Sequence, residues 1–194
     1  MSNIIQILLE EHRNIDKLLL VLEHELEVFD RSEEPDYEIL RAVIEYFQDY
    51  PEDCHHPKED MVFAKLKMRD PAEAHRIGDA QAEHEIETER LHKLVDAVEG
   101  ILAGREFLRQ TFHDAISGFI KHQRQHMDKE ERLLFPAAVR RLHPEDWAAI
   151  DARLNDRKDP LFNGAVETKF QALQRTILRW ERETETGRAK VQRA

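Results

Sequence analysis

Cysteine is almost absent: one residue, Cys54, stands in 194. No internal disulfide can form, and zinc sites built from several thiolates are excluded. A lone thiol fits a reducing compartment. Glycine and proline are also scarce, at 6 and 7. Positive charge is in deficit, with 29 Lys and Arg against 40 Asp and Glu and a formal net charge of -11. Such a surface lacks the basic footprint that nucleic acid requires and is not drawn to anionic membranes. Long apolar runs are missing too: the longest, Leu18 to Leu22, is far too short to span a bilayer. The opening MSNIIQILLEEHR lacks the basic start and apolar core of a signal peptide. The expected location is the cytoplasm.

What is present is helical. Charged residues make up 36% and the hydrophobic class 41%, a composition that suits a soluble, all-α chain with one sizeable core. The first amphipathic segment starts near Ser2 and carries Ile5, Leu8, Ile15, Leu19, Leu22, Leu26 and Phe29 on one stripe. The second follows Pro35 with Leu40, Ile44, Phe47, Val62 and Leu66. Pro51 and Pro57 interrupt it, and a kink or break is expected there. The third, after Pro71, is read as one helix with Ile77, Gln81, Thr88, Leu91, Val95, Val98 and Leu102. The fourth, from about Glu106 to Leu142, presents Phe112, Ile116, Phe119, Gln123, Leu133 and Ala137. Short connections predict an up-down-up-down four-helix bundle over residues 1–142. Residues 143–194 read as a helical extension packed on it, with Phe170, Leu173, Ile177 and Trp180 as the apolar side of its main helix.

The stripes are not purely apolar. Their vacant positions are filled by His12, by His55 and Glu59, by His84, and by His126 and Glu130. Every segment contributes at least one. A buried carboxylate without a partner costs several kcal/mol, so two carboxylates and four imidazoles facing one core are unfavourable unless metal ions neutralise them. The spacing from His55 to Glu59 and from His126 to Glu130 puts each pair on one helical face. Imidazole mixed with carboxylate suits a metal pair of iron or manganese, with zinc as a further candidate. His56, beside Pro57 in HHPKED, is expected to join as a ligand if the proline distorts the backbone. His122, one turn before His126, is expected to line the site. His24, His75, His92, His113 and His143 are expected to be solvated, and Cys54 to act as a small filler.

His12, HHPKED, AEHE around His84 and HMDKEERLLFP resemble, in this order, the hemerythrin-like, HHE cation-binding family. The tail, EDWAAID followed by DPLF, is similar to the C-terminal extension of a bacterial branch, except that Asn163 separates Phe162 from Gly164. The resemblance implies a four-helix bundle holding a non-haem di-iron centre. Glu59 and Glu130 would bridge the ions, an oxo or hydroxo group would join them, and His12, His55, His84 and His126 would be terminal ligands. It further implies a protein that binds or senses oxygen, nitric oxide or peroxide. The alternatives are an enzyme that consumes these molecules, or an iron buffer or metal-stabilised interaction module. Two features depart from the invertebrate oxygen carriers, which have a second histidine where Thr88 stands and an aspartate five residues after the last histidine, where Glu131 stands. The sequence leaves the oligomeric state open.

Overall fold

The computed structural model describes residues 3–105, 108–154, 158–162 and 166–191. Among them there are only helices and their connections: α1 (Asn3–Asp30), α2 (Tyr37–Tyr50), α3 (His56–Arg69), α4 (Pro71–Ile77), α5 (Ala80–Leu102), α6 (Arg109–Lys129), α7 (Phe135–Arg141), α8 (Pro144–Asp151) and α9 (Gln171–Val191). The sequence positions read as starts near Ser2 and Glu106, and the Asn163–Gly164 step, lie outside the described residues. No helix among the described residues is long and apolar enough to cross a membrane.

Two prolines shape the helices that carry the His–Glu pairs. The chain does not break after α2. It continues through a π turn, Pro51–His55, directly into α3, and the His56 amide reaches back five residues to the Pro51 carbonyl. A proline ring clashes with the carbonyl four residues before it. Widening one turn relieves that clash while the helix goes on, and Pro57 stands just after this turn. The same device recurs between α6 and α7: Glu130–Leu134 is a π turn, the Phe135 amide bonds Glu130, and Pro136 follows. The extra residue in that turn moves the stripe by one position. Leu133, expected in the core, is 47% exposed, while Leu134 is 1% exposed.

The single helix expected after Pro71 is two helices. Asp70 caps α4 by accepting from the Glu73 amide at 3.0 Å, and Asp79 caps α5 by accepting from the Ala82 amide at 3.3 Å. Between them Gly78 has φ +109, a backbone state that side chains oppose. A Cβ at Gly78 would also stand 3.0 Å from Lys129 Nζ. Leu102, expected on the α5 stripe, is exposed at that helix's last turn.

α1 packs on α2 and α6, and α5 packs on α2 and α6, so the long runs form a helical bundle. Its interior has two apolar parts. One contains Ile4, Ile5 and Leu8 with Val62, Leu66, Leu134, Phe135 and Ala138. The other contains Ile15 to Leu26, α2, Leu91 to Val98 and Phe112 to Met127. Along each helical run the residues between these parts are polar and buried. α9 packs on α1 and α2, and Leu161, Phe170, Leu173 and Ile177 belong to the second part. Asp159 ties this segment down by accepting from the Tyr46 hydroxyl at 2.9 Å and from the Leu161 and Phe162 amides. Trp147, in α8, packs on the first part.

Candidate metal centre

The polar layer holds all six residues that interrupt the stripes, each 9% exposed or less. α1 supplies His12, and the first π turn ends at His55. α3 supplies Glu59, α5 supplies His84, α6 supplies His126, and the second π turn opens at Glu130. Their ligand atoms form two groups, each with members within 4.8 Å of one another: His12, His55 and Glu59; and Glu59, His84, His126 and Glu130. Glu59 belongs to both.

The spacing inside the groups fits ligands around ions. His55 Nε2 is 2.9 Å and His12 Nε2 3.2 Å from Glu59 Oε1, whereas His84 Nε2 is 3.4 Å from Glu59 Oε2. Glu130 Oε2 is 3.4 Å from His12 Nε2 and 3.5 Å from His126 Nε2. Two donors each about 2.1 Å from one ion and at about 90° stand about 3 Å apart. Five of these atoms, Glu59 Oε2, His84 Nε2, His126 Nε2 and both oxygens of Glu130, are buried without a hydrogen-bond partner. Groups so arranged are costly unless something else engages them. Hard carboxylates and imidazoles are the donor set of a divalent or trivalent first-row ion.

Three of the four imidazoles are hydrogen-bonded from behind by a carboxylate, and the fourth, His84, has one just beyond hydrogen-bond reach. Nδ1 of His12 lies 2.9 Å from Glu131, that of His55 2.9 Å from Glu11, that of His126 3.0 Å from Glu83, and that of His84 3.6 Å from Asp60. A carboxylate at Nδ1 keeps the proton there and turns the Nε2 lone pair inward, the usual arrangement of metal-binding histidines. Glu131 thus stands behind His12 rather than among the groups. Glu11 also accepts from the Tyr50 hydroxyl at 2.8 Å and pairs with Lys58, which is itself buried.

Without ions the layer is a proton store. Burial alone lowers the basicity of His12, yet the carboxylates of Glu130, Glu131 and Glu59 beside it raise its pKa to about 11. His126 is likewise raised to about 11, where the nearby carboxylates of Glu59 and Glu83 outweigh burial. His55 is raised to about 9 against its burial, chiefly by the charge of Glu59. Glu59 is held well below the carboxylate range, since the surrounding histidines overcome its burial. Burial and the charge of Glu59 raise Glu130.

His56 stands outside both groups. Its Nε2 is 3.3 Å from Glu87 Oε1, and its ring stacks on His84 with centroids 4.1 Å apart. The π turn therefore brings His55 inward and leaves its neighbour facing α5. His122 stacks parallel to His126, with centroids 6.4 Å apart. His24, His75, His92 and His143 are exposed and His113 is half-buried. Cys54 is buried in the apolar core. Glu11, Glu83, Glu87, Asp60 and Glu131 are the contributors that the stripe pattern did not single out. For Glu11 and Glu87 the signal was available: both lie on apolar spacings, Leu8–Glu11–Ile15 and Glu87–Leu91–Leu94.

A cavity of about 10 Å³ between Phe63, Ile77 and Leu134 opens onto His126 and Glu130, and the ion pair of Lys129 with Glu83 borders it. That is room for about one water-sized molecule.

A helical bundle with a buried layer of four histidines and two glutamates, three of the imidazoles backed by a carboxylate, defines a metal-binding protein. The hemerythrin HHE cation-binding domain model matches residues 3–138, and the chain belongs to that family. No curated protein and no solved structure matches the chain.

Proposed function

We propose that the chain holds two iron ions and takes up a small oxidant or diatomic molecule (oxygen, nitric oxide or peroxide) at that centre. The observation that carries this reading is the sharing of Glu59 between two ligand groups, with Glu130 reaching histidines of both. His12 and His55 would serve one ion, His84 and His126 the other, and the two glutamates would bridge them. Iron supplies electrons and an exchangeable coordination position. The protein's part is to present four Nε2 lone pairs, fix three of them through Glu131, Glu11 and Glu83, and keep bulk water out. Six coordination positions on each ion are not all filled by these donors. With His56 engaged by Glu87, room remains for an external molecule. The small cavity on the His126 side supports entry of something no larger than a few atoms. The single buried cysteine fits a reducing, cytoplasmic setting.

The test is metal content and visible spectrum of protein purified without chelator, followed by azide titration of the oxidised form. Two irons per chain and a new charge-transfer band on azide addition are expected. One tightly bound zinc, indifferent to Glu130→Ala, would overturn the reading.

A further inference from the structure

Among the described residues, ten buried side-chain atoms lack a hydrogen-bond partner, and they fall into two sets. Five belong to the metal centre. The other five are His56 Nδ1, Glu87 Oε2, Arg90 Nε, His122 Nε2 and Gln123 Nε2. These residues lie on α3, α5 and α6, beside His84 and His126 but outside both ligand groups. Glu87 is 4% exposed and Gln123 2% exposed. Unpaired polar atoms at that depth are costly, so their concentration in one place points to an occupant.

The atoms divide by hydrogen-bonding role. Glu87 Oε1 faces His56, which leaves Oε2 to accept. The His122 ring lies beside the backbone of Glu83, and its Nε2 has no partner and is able to accept. Arg90 Nε and Gln123 Nε2 donate. Arg90 and His122 are partly exposed, whereas Glu87, Gln123 and His56 are buried. The set thus runs from the surface inward to His56, whose ring lies on His84. His56 Nδ1 has Glu52 Oε2 at 3.6 Å, beyond hydrogen-bond reach.

We propose that Glu87, Arg90, His122 and Gln123 form a polar pocket that receives hydrogen peroxide and passes it to the His84–His126 side of the centre. The proposal rests on the reading above and names the ligand class. Hydrogen peroxide has two O–H groups for the acceptors and two oxygens for the donors. Oxygen and nitric oxide have no proton to give Glu87, and an anion would meet its carboxylate. A cation is opposed by Arg90, and His56, Glu87 and His122 are not among the groups whose ligand atoms converge within 4.8 Å. Water has the same bonding roles and is the occupant that peroxide replaces.

Two measurements test this. In the first, crystals of the zinc-loaded full chain, which cannot reduce the probe, are soaked in hydrogen peroxide. A two-oxygen molecule touching Glu87 Oε2 and Gln123 Nε2 is expected. In the second, the reduced iron protein is mixed with hydrogen peroxide or nitric oxide in a stopped-flow instrument. Gln123→Leu and, at the more exposed end, His122→Phe should slow the peroxide reaction about threefold or more, the worth of one neutral hydrogen bond. Nitric oxide binding and iron content should stay unchanged in both. Water alone in the soaked crystal, or peroxide rates that neither variant alters, overturns the pocket. Peroxide in the crystal with an iron protein inert to both probes keeps the pocket and removes the proposed function.

Discussion

Replacing Glu11 by leucine should produce two separable losses. Its carboxylate is buried, lies 2.9 Å from His55 Nδ1, accepts from Tyr50 at 2.8 Å and neutralises Lys58. Burial raises its pKa, but His55 and Lys58 more than reverse that, so it is an anion in the folded chain. The first loss is stability. Lys58 is 6% exposed, and a buried ammonium stripped of its partner costs about 3–5 kcal/mol. At about 2–4 °C per kcal/mol for a chain of this size, the metal-free melting temperature should fall by about 6–20 °C. The second loss is metal affinity: an imidazole without its outer carboxylate binds about 10–100-fold more weakly. Lys58→Met in the Glu11→Leu background separates the two. It removes the stranded charge and should recover most of the melting temperature, yet leave the affinity low in a chelator competition. The reasoning fails if the single variant melts with the parent, or if the double variant regains metal affinity.

Other outcomes follow from the same geometry. Leu134→Ala should destabilise by about 2–5 kcal/mol and Leu133→Ala by less than about 0.5 kcal/mol; equal urea midpoints would mean the stripe does not shift at Glu130–Leu134. On the proposed two-ion reading, Glu59→Ala should remove both ions, because it belongs to both ligand groups; elemental analysis showing one ion retained would refute a shared bridge. The metal-free chain should be most stable below the unfolded histidine pKa of 6.5 and lose that stability as pH rises through about 9 and about 11, where His55, His12 and His126 give up their protons. Iron-loaded protein, whose histidines are already deprotonated, should not follow that fall; parallel melting curves from pH 6 to 10 would refute it. Deletion from Pro144 onward should lower the melting temperature, since Phe170 and Leu173 are fully buried, yet leave the metals bound; loss of metal would show that the extension completes the centre.

Much of this was legible because helices write their burial into the sequence at a fixed period. His12, His55, Glu59, His84, His126 and Glu130 were visible as polar residues on apolar stripes, and all six meet in the layer. The period also set the limits. A π turn breaks it by one residue, so Leu133 was read where Leu134 belongs. Pro51 and Pro57 announced a disturbance, but a proline does not say whether the helix will bend, stop or widen. Gly78 splits the third run because a cap at Asp79 restarts it, a local signal outweighed by the continuous stripe. The carboxylates behind the imidazoles were harder still. Glu83, Asp60 and Glu131 sit at the edge of the stripes, and only the packing of one helix on another pairs them with His126, His84 and His12.

The two π turns also bear on how such a chain tolerates mutation. Each carries one residue more than an α-helix needs over the same span, and each ends or begins at a proposed metal ligand, His55 or Glu130. Loss of a single codon inside either window would press the chain toward an ordinary α turn, against the ring of Pro57 or Pro136. It would also rotate the two ends of that helix against each other by about 100°. Leu134 and Ala138 would leave the core in the second case; in the first, His55 and Glu59 would turn from the bundle axis or force α2 to do so. In-frame deletions at these two places should therefore be among the least tolerated in the bundle, although each removes what looks like a defect in the helix.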